Sequence, residues 1–250
     1  MNKKQEVKLF RLLQQQAGVS RRKAQELIAA GEVEVNGAIL CNPFAHIYPE
    51  MVSEFRLRGH PLSVLTPDHR IYRYNKPTGV LCTHDDPHYG RTVGRRLRAE
   101  GFIGYSWAGR LDQDAEGLIL LTNDGHLVHR LTHPRYQVAK VYHVWPVCLP
   151  KRDRLKDMFS EMQRGIEDSG ETLKILGGEV SRGSPRVTLT LTEGKKNEIK
   201  RLFSHFNLEV SRLRRVKIGP IDLGDLPFGA ISRLDTEEVQ GLYSWLEQVR

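Results

Sequence analysis

The stretch Val187-Thr188-Leu189-Thr190-Leu191-Thr192 alternates an apolar side chain with a threonine at every step. Only an extended chain places residues i and i+2 on one face, so this run specifies a β-strand with one buried and one polar face. Val138 to Val147 alternates in the same way, while Gly117 to Thr122 is apolar almost throughout, as in a strand covered on both faces. Tyr72-Arg73-Tyr74 and Val80-Leu81-Cys82-Thr83 are further extended segments, separated by the turn-rich Asn75-Lys76-Pro77-Thr78-Gly79. Helices are expected to start at Asp124 or Gly125, near Pro150 and near Asn197. Strands and helices mixed in this order specify an α+β fold.

The first residues form a smaller unit. Leu9, Leu12 and Leu13 recur at helical spacing, Gly18 breaks the pattern, and Ser20 is placed to cap a second helix carrying Ala24, Leu27 and Ile28 on one face. Gly31 ends that helix. Glu32 to Val35 then reads as a strand, Asn36-Gly37 as a hairpin turn, and Ala38-Ile39-Leu40 as the return. Arg21, Arg22 and Lys23 occupy the first turn of the second helix, where cations oppose the helix dipole; a solvated basic face or a negatively charged ligand would each account for them. The following stretch, residues 54–70, is polar, contains proline and lacks periodicity, which reads as a linker.

Charge narrows the partners. A net charge of +8 favours polyanions, meaning nucleic acid or an acidic membrane surface. No apolar run reaches the roughly 20 residues that span a bilayer, and MNKKQEVKLF lacks the apolar centre of a signal peptide, so a soluble, cytoplasmic chain is expected. Cys41, Cys82 and Cys148 are far apart and contain no C-x-x-C pair, which makes them reduced packing residues.

Against that basic background, GRLDQDAEGLILLTNDG (109–125) concentrates carboxylates. As a calcium loop it lacks the final bidentate glutamate, because Asn123 stands there, and aromatic, glycine-rich residues precede it instead of a helix. His126, His129 and His133 fall at helical spacings suited to zinc, but His133-Pro134 lies past the expected helix end and no glutamate base accompanies them; a solvated or RNA-facing stripe fits better. Thr83 to His88 reads as a polar loop. Asp112 sits in a glycine-led turn just before a buried strand, at the rim of a sheet where clefts form; it is either a structural turn residue or a catalytic carboxylate. No metal site is expected.

Five ordered segments carry a family resemblance. Gly18 to Leu40 resembles the S4-like RNA-binding domain, specifically in its SRR and VNG elements. Residues 109–125, together with Asn75 to Leu81, Lys140 to Val144, and Glu193 to Phe203 continued by Leu213 to Ile221, resemble the ribosomal RNA pseudouridine synthases of the branch that carries an S4-like domain in front. The resemblance implies an N-terminal S4-like α/β domain over 1–60, a linker over 61–69, and a larger, mixed, mainly antiparallel-sheet catalytic domain over 70–250.

It also implies a chemistry. Isomerising uridine to pseudouridine breaks the glycosidic bond, rotates the uracil and rejoins it through carbon, with no redox change and no cofactor. The family assigns the reacting carboxylate to the position of Asp112, uracil stacking to that of Tyr142, and the cation that pairs with the carboxylate to that of Lys200. Arg110 is placed to fill the gap left by the flipped base. Arg21, Arg22, Lys23, Lys76, Lys195, Lys196 and Arg201 are candidate RNA contacts, ribosomal RNA is the expected partner, and the chain is expected to act as a monomer. Asp114, Glu116 and Asp124 are assigned to shaping the turn. Two departures from the family pattern stand out: Ala115, where a small polar residue is frequent, and Asn197-Glu198 before Ile199.

Overall fold

The computed structural model describes residues 6–62, 70–181 and 183–249. Two compact units emerge: the described residues of Met1–His69 together with Leu97–Ser106, and Arg70–Arg96 with those of Trp107–Arg250. The chain therefore enters the first unit twice, whereas the sequence places 97–106 in the second domain. Most of the expected linker, residues 63–69, lies outside the described residues.

The first unit follows its local signals. Leu9–Ala17 is a helix ended by Gly18 at φ 65°, and Arg21–Ala29 is a helix whose Lys23 N–H donates to Ser20 Oγ at 3.2 Å. Asn36 and Gly37 both adopt positive φ, as a two-residue turn between Val33–Val35 and Ala38–Ile39 requires. Val33–Val35 also pairs with Phe55–Leu57, which pairs with His60–Pro61, so the strand pattern continues past residue 60. Leu9, Leu12, Leu13, Ala24, Ile28 and Phe55 form a shared core.

In the second unit one sheet runs in the order Gly177–Val180, Val187–Leu191, Lys140–Pro146, Val210–Ile218, Glu116–Thr122, Ile71–Lys76 and Ile231–Arg233. Every neighbouring pair along it is antiparallel except Val210–Ile218 against Glu116–Thr122. The alternation of Val187 to Thr192 is realised as buried Val187, Leu189 and Leu191 between half-buried threonines. The continuous run 118–121 is fully buried because helices Gly125–Thr132 and Thr236–Gln248 cover Leu118 and Leu120, while Ile119 and Leu121 face the opposite core. Four such leucines and isoleucines contribute on the order of 1.5–3 kcal/mol each.

Two expectations change. Asn75 and Lys76, read as turn, continue the strand Ile71–Lys76, and Val80 to Thr83 holds only an isolated bridge between Leu81 and Thr92. Helices start at Gly125, capped by Asp124, at Arg152 and at Glu198.

The parallel pair closes over one glycine. Gly117 lies opposite Arg215 at φ 106°, and a Cβ there would stand 2.2 Å from the Arg215 carbonyl oxygen. Gly117→Ala is expected to lower unfolding free energy by on the order of 3 kcal/mol or more, combining backbone strain with a main-chain clash. Urea denaturation checks this, and a wild-type midpoint would contradict the closure just described.

Candidate active site

The loop before the Glu116–Thr122 strand is held at successive residues. Arg110 O accepts from Arg215 Nη1 at 3.3 Å, Leu111 N–H donates to Cys82 Sγ at 3.4 Å, Asp112 O accepts from Ala115 N–H at 3.1 Å, and Gln113 O accepts from Gly79 N–H at 2.7 Å. Backbone tethers on both sides leave the Asp112 side chain half-exposed on a fixed main chain.

Asp112 lines a cavity of about 310 Å³, near the lower end of small-ligand pockets. Tyr142 and Arg215 line it too. They are direct register partners on adjacent antiparallel strands, which sets their side chains side by side on one face. Arg215 is 1% exposed; its Nε donates to Leu118 O at 2.7 Å, and its Nη2 is buried without a partner. A guanidinium so placed requires a negative charge nearby to offset its desolvation.

Lys200 does not line this cavity. It is ion-paired with Asp114 on a neighbouring surface, beside Ser204 and Leu208. Arg215, which sequence reasoning left unassigned, lines the cavity with Asp112 and is the register partner of Tyr142. In Leu213-Arg214-Arg215-Val216 the strand period admits either parity, and only the register with Tyr142 fixes which arginine points inward.

Of the expected RNA contacts, Arg110 and Lys196 are exposed and line the cavity, as does half-buried Lys195, which pairs with Glu193 at 2.7 Å. Arg21, Arg22 and Lys23 are exposed on the first unit. Lys76 and Arg201 are corrected. Lys76 is 0% exposed, with Nζ donating to Pro77 O at 3.0 Å, Val80 O at 2.9 Å and Gln113 O at 3.4 Å, so it supports the Asp112 loop from within. Arg201 is spent on Asp168 and Glu171, and its hydrogen bond to Asp168 holds that carboxyl below the usual range. Glu116 is corrected as well: it is a strand residue, buried and ion-paired with Arg212 at 2.7 Å, not a turn former. Asp124 does cap a helix, accepting from His126 N–H at 2.8 Å.

Two further ionisable residues in the cavity wall were missed. Lys140 is buried and donates to Val138 O at 3.0 Å and Thr192 O at 3.1 Å; burial pulls its pKa down to about 8. Glu198 is buried and its carboxyl is pushed up by desolvation, while its Oε2 accepts from Lys195 N–H at 3.0 Å. Among the described residues no three His, Cys, Asp or Glu side chains converge in a way that could hold a metal ion.

This cavity lies within residues 109–215 of a sheet whose family can be stated. Residues 70–205 match the RNA pseudouridylate synthase family. The chain is 34% identical to an uncharacterised RNA pseudouridine synthase of Mycobacterium leprae, over 95% of this chain and 92% of that one. It is 35% identical to the ribosomal large subunit pseudouridine synthase B of Salmonella typhimurium and to that of Escherichia coli, over 96% of this chain and 83% of theirs. A solved pseudouridylate synthase superposes with a TM-score of 0.63 at 28% identity, covering 94% of this chain and 99% of that one. The chain belongs to the RNA pseudouridylate synthases. It is an isomerase that converts uridine in RNA to pseudouridine.

Burial of Lys76 has a measurable consequence. Desolvation lowers its pKa from 10.5 to about 8, so between those values the folded chain has released a proton that the unfolded chain still holds. Stability from this site therefore rises with pH across that window. The stability of wild type relative to Lys76→Met is expected to increase between pH 8 and pH 10; a pH-independent difference would mean that the ammonium is solvated.

Proposed function

We propose that this chain modifies a uridine of large-subunit ribosomal RNA, with Asp112 as the reacting carboxylate, Tyr142 as the stacking platform and Arg215 as the buried cation of the same cavity. The observation that carries the site assignment is that Asp112, Tyr142 and Arg215 line one cavity. The substrate class rests on the relatives of Salmonella and Escherichia, whose names specify the large ribosomal subunit and which match over nearly the whole chain.

The target base leaves its stack, at a cost of a few kcal/mol, and enters the cavity; Arg110, exposed at the rim, occupies the vacated space. Asp112 acts at the ribose as nucleophile or base while the bond between C1′ and N1 breaks. The freed uracil turns on the Tyr142 ring, C5 bonds to C1′, and the C5 proton is lost as N1 gains one. Atoms and charge balance within the nucleoside, so no cofactor enters. Arg215, with two of its N–H groups already on Leu118 and Arg110 carbonyls, has Nη2 left for a carboxylate or a developing negative charge.

Arg21, Arg22 and Lys23 on the first unit serve as phosphate contacts in the manner of an S4-like domain, and the chain acts as a cytoplasmic monomer. Residues 1–60 and 70–250 form the binding and catalytic domains in this reading, with 97–106 assigned to the former.

Asp112→Asn keeps side-chain size and removes the anion. It is expected to reduce pseudouridine formation by more than about a thousandfold, with RNA affinity little changed. Retention of a tenth of wild-type turnover on ribosomal RNA would sink the assignment.

The choice between cations is tested by a pair of variants. Arg215→Lys keeps the charge but cannot reach both carbonyls and the cavity at once, and is expected to cost about a hundredfold in kcat. Lys200→Met breaks only a partly solvated ion pair and should cost less than about tenfold. The reverse order would restore Lys200 to the catalytic role.

A further inference from the structure

Side chains at positions 143 and 145 point to the face of the sheet opposite Tyr142. Register places Arg214 beside His143 and Arg212 beside Trp145. Arg212 lies over the Trp145 ring at 4.6 Å from the centroid, and Arg214 over the ring of Phe228 at 5.1 Å. Arg186, from the approach to the Val187–Leu191 strand, reaches His143 Nδ1 at 3.2 Å and donates to Ser181 Oγ at 3.2 Å. None of these residues lines the Asp112 cavity.

The face is open and underneutralised. Phe228 is 53% exposed and the Arg212 side chain 43%. Glu116 is the carboxylate engaged there, and it is committed to Arg212. Arg186 and Arg214 have no carboxylate partner among the described residues, and Arg214 Nε is buried with nothing to accept its hydrogen. Cations stacked on aromatic rings keep their guanidinium edges directed and partly stripped of water without internal neutralisation. A solvated basic face would leave such groups hydrated; an internal network would pair them.

We infer that this sheet face is a second RNA-docking surface, at which Arg186 and Arg214 hold backbone phosphates of the same RNA remote from the modified uridine while Trp145, Arg212 and Phe228 support them. It rests on the reading that the substrate is a large RNA. Charge complementarity favours a polyanion over a protein partner: the chain carries +8 overall, and Glu116, the carboxylate ion-paired on this patch among the described residues, is already neutralised.

The test measures affinity for a transcript of large-subunit ribosomal RNA as a function of salt. Arg186→Gln with Arg214→Gln removes two cations that hold no ion pair, leaving the Arg212 pair with Glu116 intact. The slope of log K against log salt is expected to become shallower by about 1.4–1.8 units, some 0.7–0.9 for each lost phosphate contact. The Lys/Lys counterpart should keep most of the slope.

Thermal unfolding of each variant reports folding separately. A second measurement needs no variant: RNA should protect Arg186 and Arg214 of the natural protein from a dicarbonyl reagent, read by mass spectrometry. An unchanged slope in the folded Gln/Gln variant, or modification of both arginines undiminished by RNA, would overturn the inference, as would a shift seen only with a protein ligand. Pseudouridine formation by the natural protein on the same transcript is scored in parallel. Its failure counts against the substrate assignment, whereas a failed slope or protection result counts against the second surface.

Discussion

The buried guanidinium of Arg215 is the interaction around which the catalytic unit is arranged. Three strands meet at its position: Lys140–Pro146 through Tyr142, Val210–Ile218 that carries it, and Glu116–Thr122 through Gly117. A full positive charge at 1% exposure is tolerated only if its donors are occupied, and two carbonyls, Leu118 O within the neighbouring parallel strand and Arg110 O in the loop before it, do part of that work. Moving the strand by one residue would put Arg214 inward and break both hydrogen bonds. Strand register and active-site electrostatics are therefore a single constraint.

The Asp112 loop meets the same requirement from its other side. Lys76 Nζ donates to the neighbouring Pro77 and Val80 carbonyls and to that of Gln113, 37 residues on, at the end of a strand that pairs with the one following the loop. Two buried cations, one on each side of four loop residues, fix the backbone by donating to its carbonyls. The hydrogen bonds both make are to carbonyls instead of carboxylates, so neither holds the Asp112 side chain in a hydrogen bond. Lys140 repeats the arrangement in the opposite wall through Val138 and Thr192. Preorganisation of this kind keeps the dipoles from having to turn when charge develops.

Legibility in the sequence tracked the range of the interaction. The first unit was readable because its determinants act within a few residues: Ser20 on Lys23, Gly18 at positive φ, Asn36-Gly37 in the turn. The alternating strands and the helix capped by Asp124 were readable for the same reason. Thr236–Gln248 had such a signal, the capping box of Asp235 and Glu238 ahead of Val239, Leu242 and Leu246, and it was passed over. The inward parity of Arg215, the burial of Lys76 and the packing of 97–106 with the first unit depend on partners tens of residues away. A lysine in a proline- and glycine-rich segment looks solvent-facing until the carbonyls that claim it are known.

The departures from the family pattern acquire physical reasons at this level. Ala115 is fully buried beneath the loop, where a hydroxyl would need a hydrogen-bond partner of its own. Asn197 adopts φ 53°, a left-handed conformation that asparagine accepts more readily than most side chains, and Glu198 turns its carboxylate back onto the Lys195 N–H. The short segment from Glu193 to Glu198 is thus braced internally by its own acidic residues, with Lys195 drawn to Glu193 and only Lys196 left projecting. Ala115 meets Asp112 through its backbone alone, its N–H donating to the Asp112 carbonyl at 3.1 Å whatever side chain it carries, and the Glu198 carboxylate is turned to Lys195. The two departures alter how the cavity rim is supported and which lysine projects from it, while the Asp112 loop keeps its tethers to Arg215, Cys82 and Gly79.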